Sequence, residues 1–167
     1  MATTTQRLWR HLFTDRADVR RAFPPEELAR IENAIAEGER GHAGQVCFAI
    51  EAALPLARVW QGLTPRERAL EVFGSLRVWD TEHNDGVLIY LLLADRDVEV
   101  VADRGIHARV GGSGWETICH SMEAAFREGR YGEGAAQGVA AVNALLVEHS
   151  PRDGAGSNEL PDQPVIL

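Results

Sequence analysis

The sequence predicts an α/β fold: a three-layer α/β/α sandwich around a Rossmann-like mixed sheet. Two observations carry that prediction. The first is the run Val87–Leu93, apolar at every position and bounded by Asn84-Asp85-Gly86 and Ala94-Asp95-Arg96-Asp97. It is too short for an ordinary helix and apolar on both faces, so it reads as a central strand covered from two sides. Asp95-Arg96 turns the chain, and Val98–Val101 returns as an antiparallel partner. Asp97 and Glu99 make that partner more polar, so it belongs nearer an edge. The second observation is Gly44–Glu51, GQVCFAIE, another strand, separated from the central run by a crossover long enough to hold a helix. Such a crossover implies one parallel, right-handed βαβ unit.

The elements follow in order. Residues 1–23 form a basic amphipathic helical segment in which Arg7, Arg10, Arg16, Arg20 and Arg21 face only Asp15 and Asp18. Leu8, Trp9, Leu12 and Phe13 share one face at helical spacing, and the expectation is that this aromatic side packs on the domain. The alternative is a protein partner or an anionic membrane surface engaged through residues 5–23. Pro24-Pro25-Glu26-Glu27 opens a helix with Leu28, Ile31 and Ile35 on its buried stripe. Thr64-Pro65-Arg66-Glu67 is a capping box that starts the crossover helix, with Leu70, Phe73 and Leu76 as its stripe. Ser113–Glu116 reads as a second capping box, before a face of Trp115, Ile118, Cys119, Met122 and Phe126. Ala136, Val139, Val142 and Leu146 mark the last helix. The main domain thus spans residues 24–149, and residues 150–167, rich in turn formers and acids without a period, are expected to be a mobile tail.

Composition excludes several functions. The formal charge of −8 argues against nucleic-acid binding. All 17 basic residues are arginine. A chain without lysine has no phosphate-loop lysine, no Schiff base and no catalytic ammonium. Cys47 and Cys119 lie on core faces, without the spacing of a zinc site or a disulfide scaffold. No signal-peptide pattern opens the sequence, and no apolar run reaches the ~18 residues that span a bilayer. The expectation is therefore a soluble, cytoplasmic protein, peripheral to a membrane if the basic segment binds one.

The topology gathers acids at both ends of the sheet. Glu51, Asp95 and Asp97 belong at the carboxyl ends of the parallel strands. Gln45, Asn84, Asp85, Asp103 and Arg104 belong at the opposite edge, with Asp80, Glu82 and His83 just before them. Asp95-Arg96-Asp97 resembles the nucleophile loop of haloacid-dehalogenase phosphatases, but Glu99 and the missing lysine set that reading aside. At the other edge, Asp80, Asp85 and Asp103 are hard oxygen donors suited to a weakly held calcium or magnesium ion. The plainer reading, solvated acids in an Asn-Asp-Gly turn, stays open beside it.

Gly44-Gln45-Val46, Asn84-Asp85-Gly86-Val87-Leu88, Asp95-Arg96 and Gly105, followed by Phe126-Arg127-Glu128-Gly129-Arg130-Tyr131 with Gly134 and Gly138, resemble the TPM domain in order and spacing. The resemblance implies the Rossmann-like sandwich. It also implies two kinds of function known among such proteins: acid phosphatase activity with bound calcium or a related ion, and accessory roles at membranes. The familiar turn of the family reads Asp-Asn-Gly where this chain has Asn84-Asp85-Gly86, and most relatives carry a membrane anchor. The preferred reading is a binding or accessory module with a weak divalent-metal site. The alternative is a weak metal-dependent acid phosphatase with Asp85, Asp103 and Arg104 as candidate catalytic residues, Arg104 binding the phosphate.

Overall fold

A computed structural model describes residues 3–153 and 157–167. At its centre β2 (Gly86–Leu92), every residue of it buried, is flanked by two strands of opposite sense. β1 (Gln45–Glu51) runs parallel to it, Gln45 opposite Gly86 and Glu51 opposite Leu92. β3 (Asp97–Ala102) runs antiparallel from Leu92 opposite Asp97 to Val87 opposite Ala102, and forms the edge. The hairpin and the parallel unit are those read from sequence. The fourth strand, β4 (Val165–Ile166), pairs parallel with β1, giving the order β3-β2-β1-β4.

That strand corrects the expectation of a mobile tail. The side-chain Oε1 of Gln45 accepts the N–H groups of Glu159 and Leu160, at 2.7 and 3.0 Å. Leu160, Val165 and Leu167 pack on the sheet. Absence of period was a poor guide, because a strand of two residues has none to show. Residues 154–156 of the expected tail and residues 1–2 of the amino-terminal segment lie outside the described residues.

Eight helices among the described residues cover the two faces. Side chains of β1 and β2 alternate between two cores, as the pleat requires. On one face Val46, Phe48 and Ile50 with Val87, Ile89 and Leu91 meet α2 (Arg16–Ala22), α3 (Pro25–Gly38), α6 (Arg104–Val110), α7 (Gly112–Arg127) and α8 (Tyr131–His149). On the other, Cys47, Ala49, Leu88 and Tyr90 meet α4 (Leu56–Trp60), α5 (Pro65–Ser75) and, through Leu8, α1 (Thr4–Phe13). This is the predicted three-layer arrangement.

Three local expectations change. The capping box of α5 forms as read, with Thr64 and Glu67 reciprocally bonded, but its buried residues are Ala69 and Val72 while Leu70 is half exposed. Phe73 and Leu76 touch the core only partly. Ser113–Glu116 forms no capping box. α7 already begins at Gly112, capped by Gly111 with φ 80°, and the Ser113 carbonyl accepts the Thr117 hydroxyl inside the helix. Most consequential is α1, where Trp9, Leu12 and Phe13 point outward, 56%, 53% and 71% exposed. The helix is held by its polar side instead.

A buried carboxyl makes stability depend on pH. Glu39, at the end of α3, accepts the Val46 N–H at 2.8 Å, and burial pushes its carboxyl up to about 7. A carboxyl raised in the fold stabilises it fully below the ordinary value near 4.5, and that contribution is lost as pH rises through about 7. Between pH 5 and pH 8 the loss should be on the order of 2 kcal/mol. Glu39→Gln keeps the acceptor for Val46 and removes the charge, so its thermal melts should depend less on pH and exceed the parent's at pH 8. An equal decline in both chains would show that Glu39 does not titrate in this range.

Candidate functional site

The β2–β3 turn stands at the carboxyl end of β2, the side of an open α/β sheet where ligands commonly bind. Asp95 lies in this turn and organises what surrounds it. Arg7 of α1 donates from Nε and Nη2 to both Asp95 carboxylate oxygens at 2.7–3.2 Å. His11, one helical turn further and fully buried in its side chain, places Nε2 at 3.3 Å from Asp95 Oδ2. The Leu54 N–H donates to His11 Nδ1 at 2.9 Å, which fixes the ring with Nε2 on the side of the carboxylate. Burial raises the Asp95 carboxyl, but His11 and Arg7 outweigh it and hold the group below the usual carboxylate range. Asp95 is thereby the anchor of α1.

With α1 docked this way, a cavity of about 780 Å³ opens beside the turn. Four arginines line it: Arg10 from α1, Arg21 from α2, Arg96 from the turn, and Arg127 from the end of α7. Phe13, Thr14, Gly129 and Tyr131 complete much of the wall. Its two carboxylates are already engaged, Asp95 as described and Asp18 by Arg21. Arg127 pairs with Glu123 at 3.2 Å. Arg10 and Arg96 have no carboxylate within ion-pair distance among the described residues. In a chain of charge −8, unpaired guanidinium groups converging on one concavity create a local field that favours an anion. Arg96 also sits at φ 53°, in the left-handed region, where glycine or asparagine would be less strained.

The acids expected at this end are present but do not form one group. Glu51 accepts two hydrogen bonds from Arg68, at 2.8 and 3.0 Å, and one from the Tyr90 hydroxyl at 2.6 Å. Asp97 has an oxygen buried without a hydrogen-bond partner among the described residues, and burial, with Glu99 and Glu123 near it, pushes its carboxyl up to about 7. Cys119 lies against β3 and is held up to about 12 by burial, which makes its thiol inert; Cys47 is likewise raised, to about 11.

At the opposite edge the backbone register holds as expected, for the Asp103 N–H donates to the Gly86 carbonyl at 2.9 Å. The side chains part company. Asp85 is buried, its Oδ2 accepting the Ser150 hydroxyl at 2.9 Å and its Oδ1 left without a partner among the described residues. Asp103 caps α6, its Oδ1 accepting the Arg104 N–H at 2.6 Å and its Oδ2 buried without a partner among the described residues. With Trp79, Asn84, Arg104 and Gly105 it borders a separate depression. Asp80 is exposed and pairs with Arg77 at 3.4 Å. No three His, Cys, Asp or Glu side chains among the described residues converge as a metal-ligand group, so Asp80, Asp85 and Asp103 are not brought together as one.

The fold and the cavity define an α/β sandwich domain with a concavity beside the carboxyl end of the central strand. The chain belongs to the TPM domain family, whose model it matches over residues 16–145. That match begins at α2, so Arg10 and Phe13 lie outside it. The structure is similar to the NMR structure of the BA42 protein from the psychrophilic bacterium Bizionia argentinensis. There the identity is 25%, the TM-score 0.75, and the alignment covers 85% of this chain and 93% of that one. It is also similar to the N-terminal domain of a P. gingivalis protein, at 20% identity and TM-score 0.60, covering 79% and 83%. No curated protein matches the sequence. No helix among the described residues is long and apolar enough to cross a membrane.

Proposed function

We propose that this TPM-domain protein is a non-catalytic binding module that takes an anionic ester, a phosphate ester above all, in the arginine cavity. The observation that carries this reading is the pair Arg10 and Arg96, two cations on one concavity without carboxylate partners among the described residues. Guanidinium groups match the oxygens of a phosphate bidentately. Nothing on the wall suits chemistry on the ligand: it has no histidine or cysteine, and its carboxylates are engaged by arginines. Phenyl phosphate titrated into the full chain should bind with a dissociation constant of about 1 mM, and Arg96→Gly or Arg127→Ala should each weaken it roughly tenfold. Arg96→Gly is the sharper variant, because it relieves the left-handed strain and should leave the fold as stable or more so. Unchanged affinity in both variants would dispose of the cavity as the site.

A second reading places a weakly held calcium or magnesium ion at the opposite edge and a weak phosphatase activity with it. Its support is two buried oxygens without a partner among the described residues, Asp85 Oδ1 and Asp103 Oδ2. Calcium titration should then shift the amides of Asn84–Gly86 and Asp103–Gly105 together, and Asp103→Ala should abolish ester hydrolysis. Phenyl phosphate that binds without turnover favours the module over the enzyme.

A further inference from the structure

We infer that the cavity and the exposed face of α1 together dock on the anionic surface of a phospholipid bilayer, the arginines taking headgroups and the aromatic ridge entering the interface. The inference rests on the reading of the cavity as an anion site and names the source of the anion. Trp9 and Phe13 stack in parallel, ring centroids 5.5 Å apart, and Leu12 stands exposed beside them in the helix. They form an exposed aromatic ridge on α1. Phe13 is also part of the cavity wall, so the ridge and the four arginines share one border. The α1 sequence contains no acid, and Arg16 and Arg20 of α2 are exposed next in the chain. Aromatic side chains with a rim of arginines are the composition of an interfacial helix, its rings at headgroup depth and its cations on lipid phosphates. The charge of −8 over the chain makes this basic region the one that an anionic surface attracts.

The test uses the full chain and flotation with vesicles of phosphatidylcholine alone or mixed with phosphatidylglycerol. The chain should float with the mixed vesicles at low salt, stay behind with phosphatidylcholine, and be released as salt rises. The double variant Trp9→Ala, Leu12→Ala, at two exposed positions that do not border the cavity, should bind the mixed vesicles about tenfold more weakly or worse, yet keep its phenyl phosphate binding in solution. Arg96→Gly should lose roughly fivefold on vesicles as well as its ester affinity. Trp79→Ala, at the other end of the sheet, should change neither. Phenyl phosphate binding without flotation would overturn the docking and leave the cavity reading standing. Flotation without phenyl phosphate binding would overturn the headgroup role of the cavity. A dimer abolished by the Trp9 and Leu12 changes, with no flotation, would make the occupant a second copy and refute the inference.

Discussion

Replacing Asp95 with alanine should cost about 3 kcal/mol and release α1 from the domain. The carboxylate is only 9% exposed, and it receives Arg7 and His11 from one side of one helix. Without it the buried His11 Nε2 loses the carboxylate 3.3 Å away, and the Arg7 charge keeps the Leu63 carbonyl, at 3.2 Å. An unpaired buried charge costs more than an absent pair, so Asp95→Asn, which preserves shape and an acceptor, should lose about half as much. Limited digestion with trypsin offers a local readout beside the denaturant midpoint. Arg7 and Arg10 should resist cleavage in the parent and become the first sites cut in Asp95→Ala. Because α1 carries Arg10 and Phe13 to the cavity, the same variant should lose its phenyl phosphate binding. A variant that keeps its stability and its resistance to trypsin would show that α1 is held by something other than Asp95.

Gly86→Ala should be at least as damaging, by about 3 kcal/mol or more, for a reason of space. A Cβ at Gly86 would lie 1.9 Å from the Val78 carbonyl oxygen, a backbone atom. Val78 is fully buried and its own N–H donates to the Phe73 carbonyl, so it has little freedom to retreat. On the other side, the Gly86 carbonyl accepts the Asp103 N–H and sets the register of the hairpin. Either β2 shifts and breaks that register, or the turn after α5 unfolds. A large fall in denaturant midpoint is expected, and a loss below ~1 kcal/mol would mean that the approach of Val78 to β2 is looser than it stands here.

The sheet was legible because its signals are local and redundant. An apolar run between Asn-Asp-Gly and Ala-Asp-Arg-Asp leaves few alternatives to a buried strand with a hairpin after it, and the length of the crossover decides the parallel sense. The short elements were not legible. α4 is barely more than one turn, α6 begins Arg104-Gly105 against helix propensity, and β4 is two residues long. Each exists because tertiary contacts hold it. The orientation of α1 shows a different limit. Its apolar stripe was evident, but Arg7 and His11, at the spacing of one helical turn, form a rival face. That face wins because Asp95 lies opposite it, a fact about residues far away in the chain.

The candidate site escaped for the same reason. Arg10, Arg21, Arg96 and Arg127 come from α1, α2, the hairpin turn and the α7 terminus, and no spacing rule links them. Two hints were available: a basic complement made wholly of arginine, and an arginine flanked by aspartates at the tip of a tight hairpin. The acids near Asn84 drew attention because carboxylates close in sequence suggest a metal. In the folded chain Asp85 turns inward to Ser150 while Asp103 caps α6.

Amide NMR of the full chain, titrated with phenyl phosphate, tests the central claim most directly. If the arginine cavity is the working site, the perturbed amides are those of Arg96, Gly129 and Tyr131 with Arg10 and Arg21, and Arg96→Gly shifts the effect to roughly tenfold higher concentration. Perturbation confined to Asn84–Gly86 and Asp103–Gly105, or none at any concentration, would contradict it.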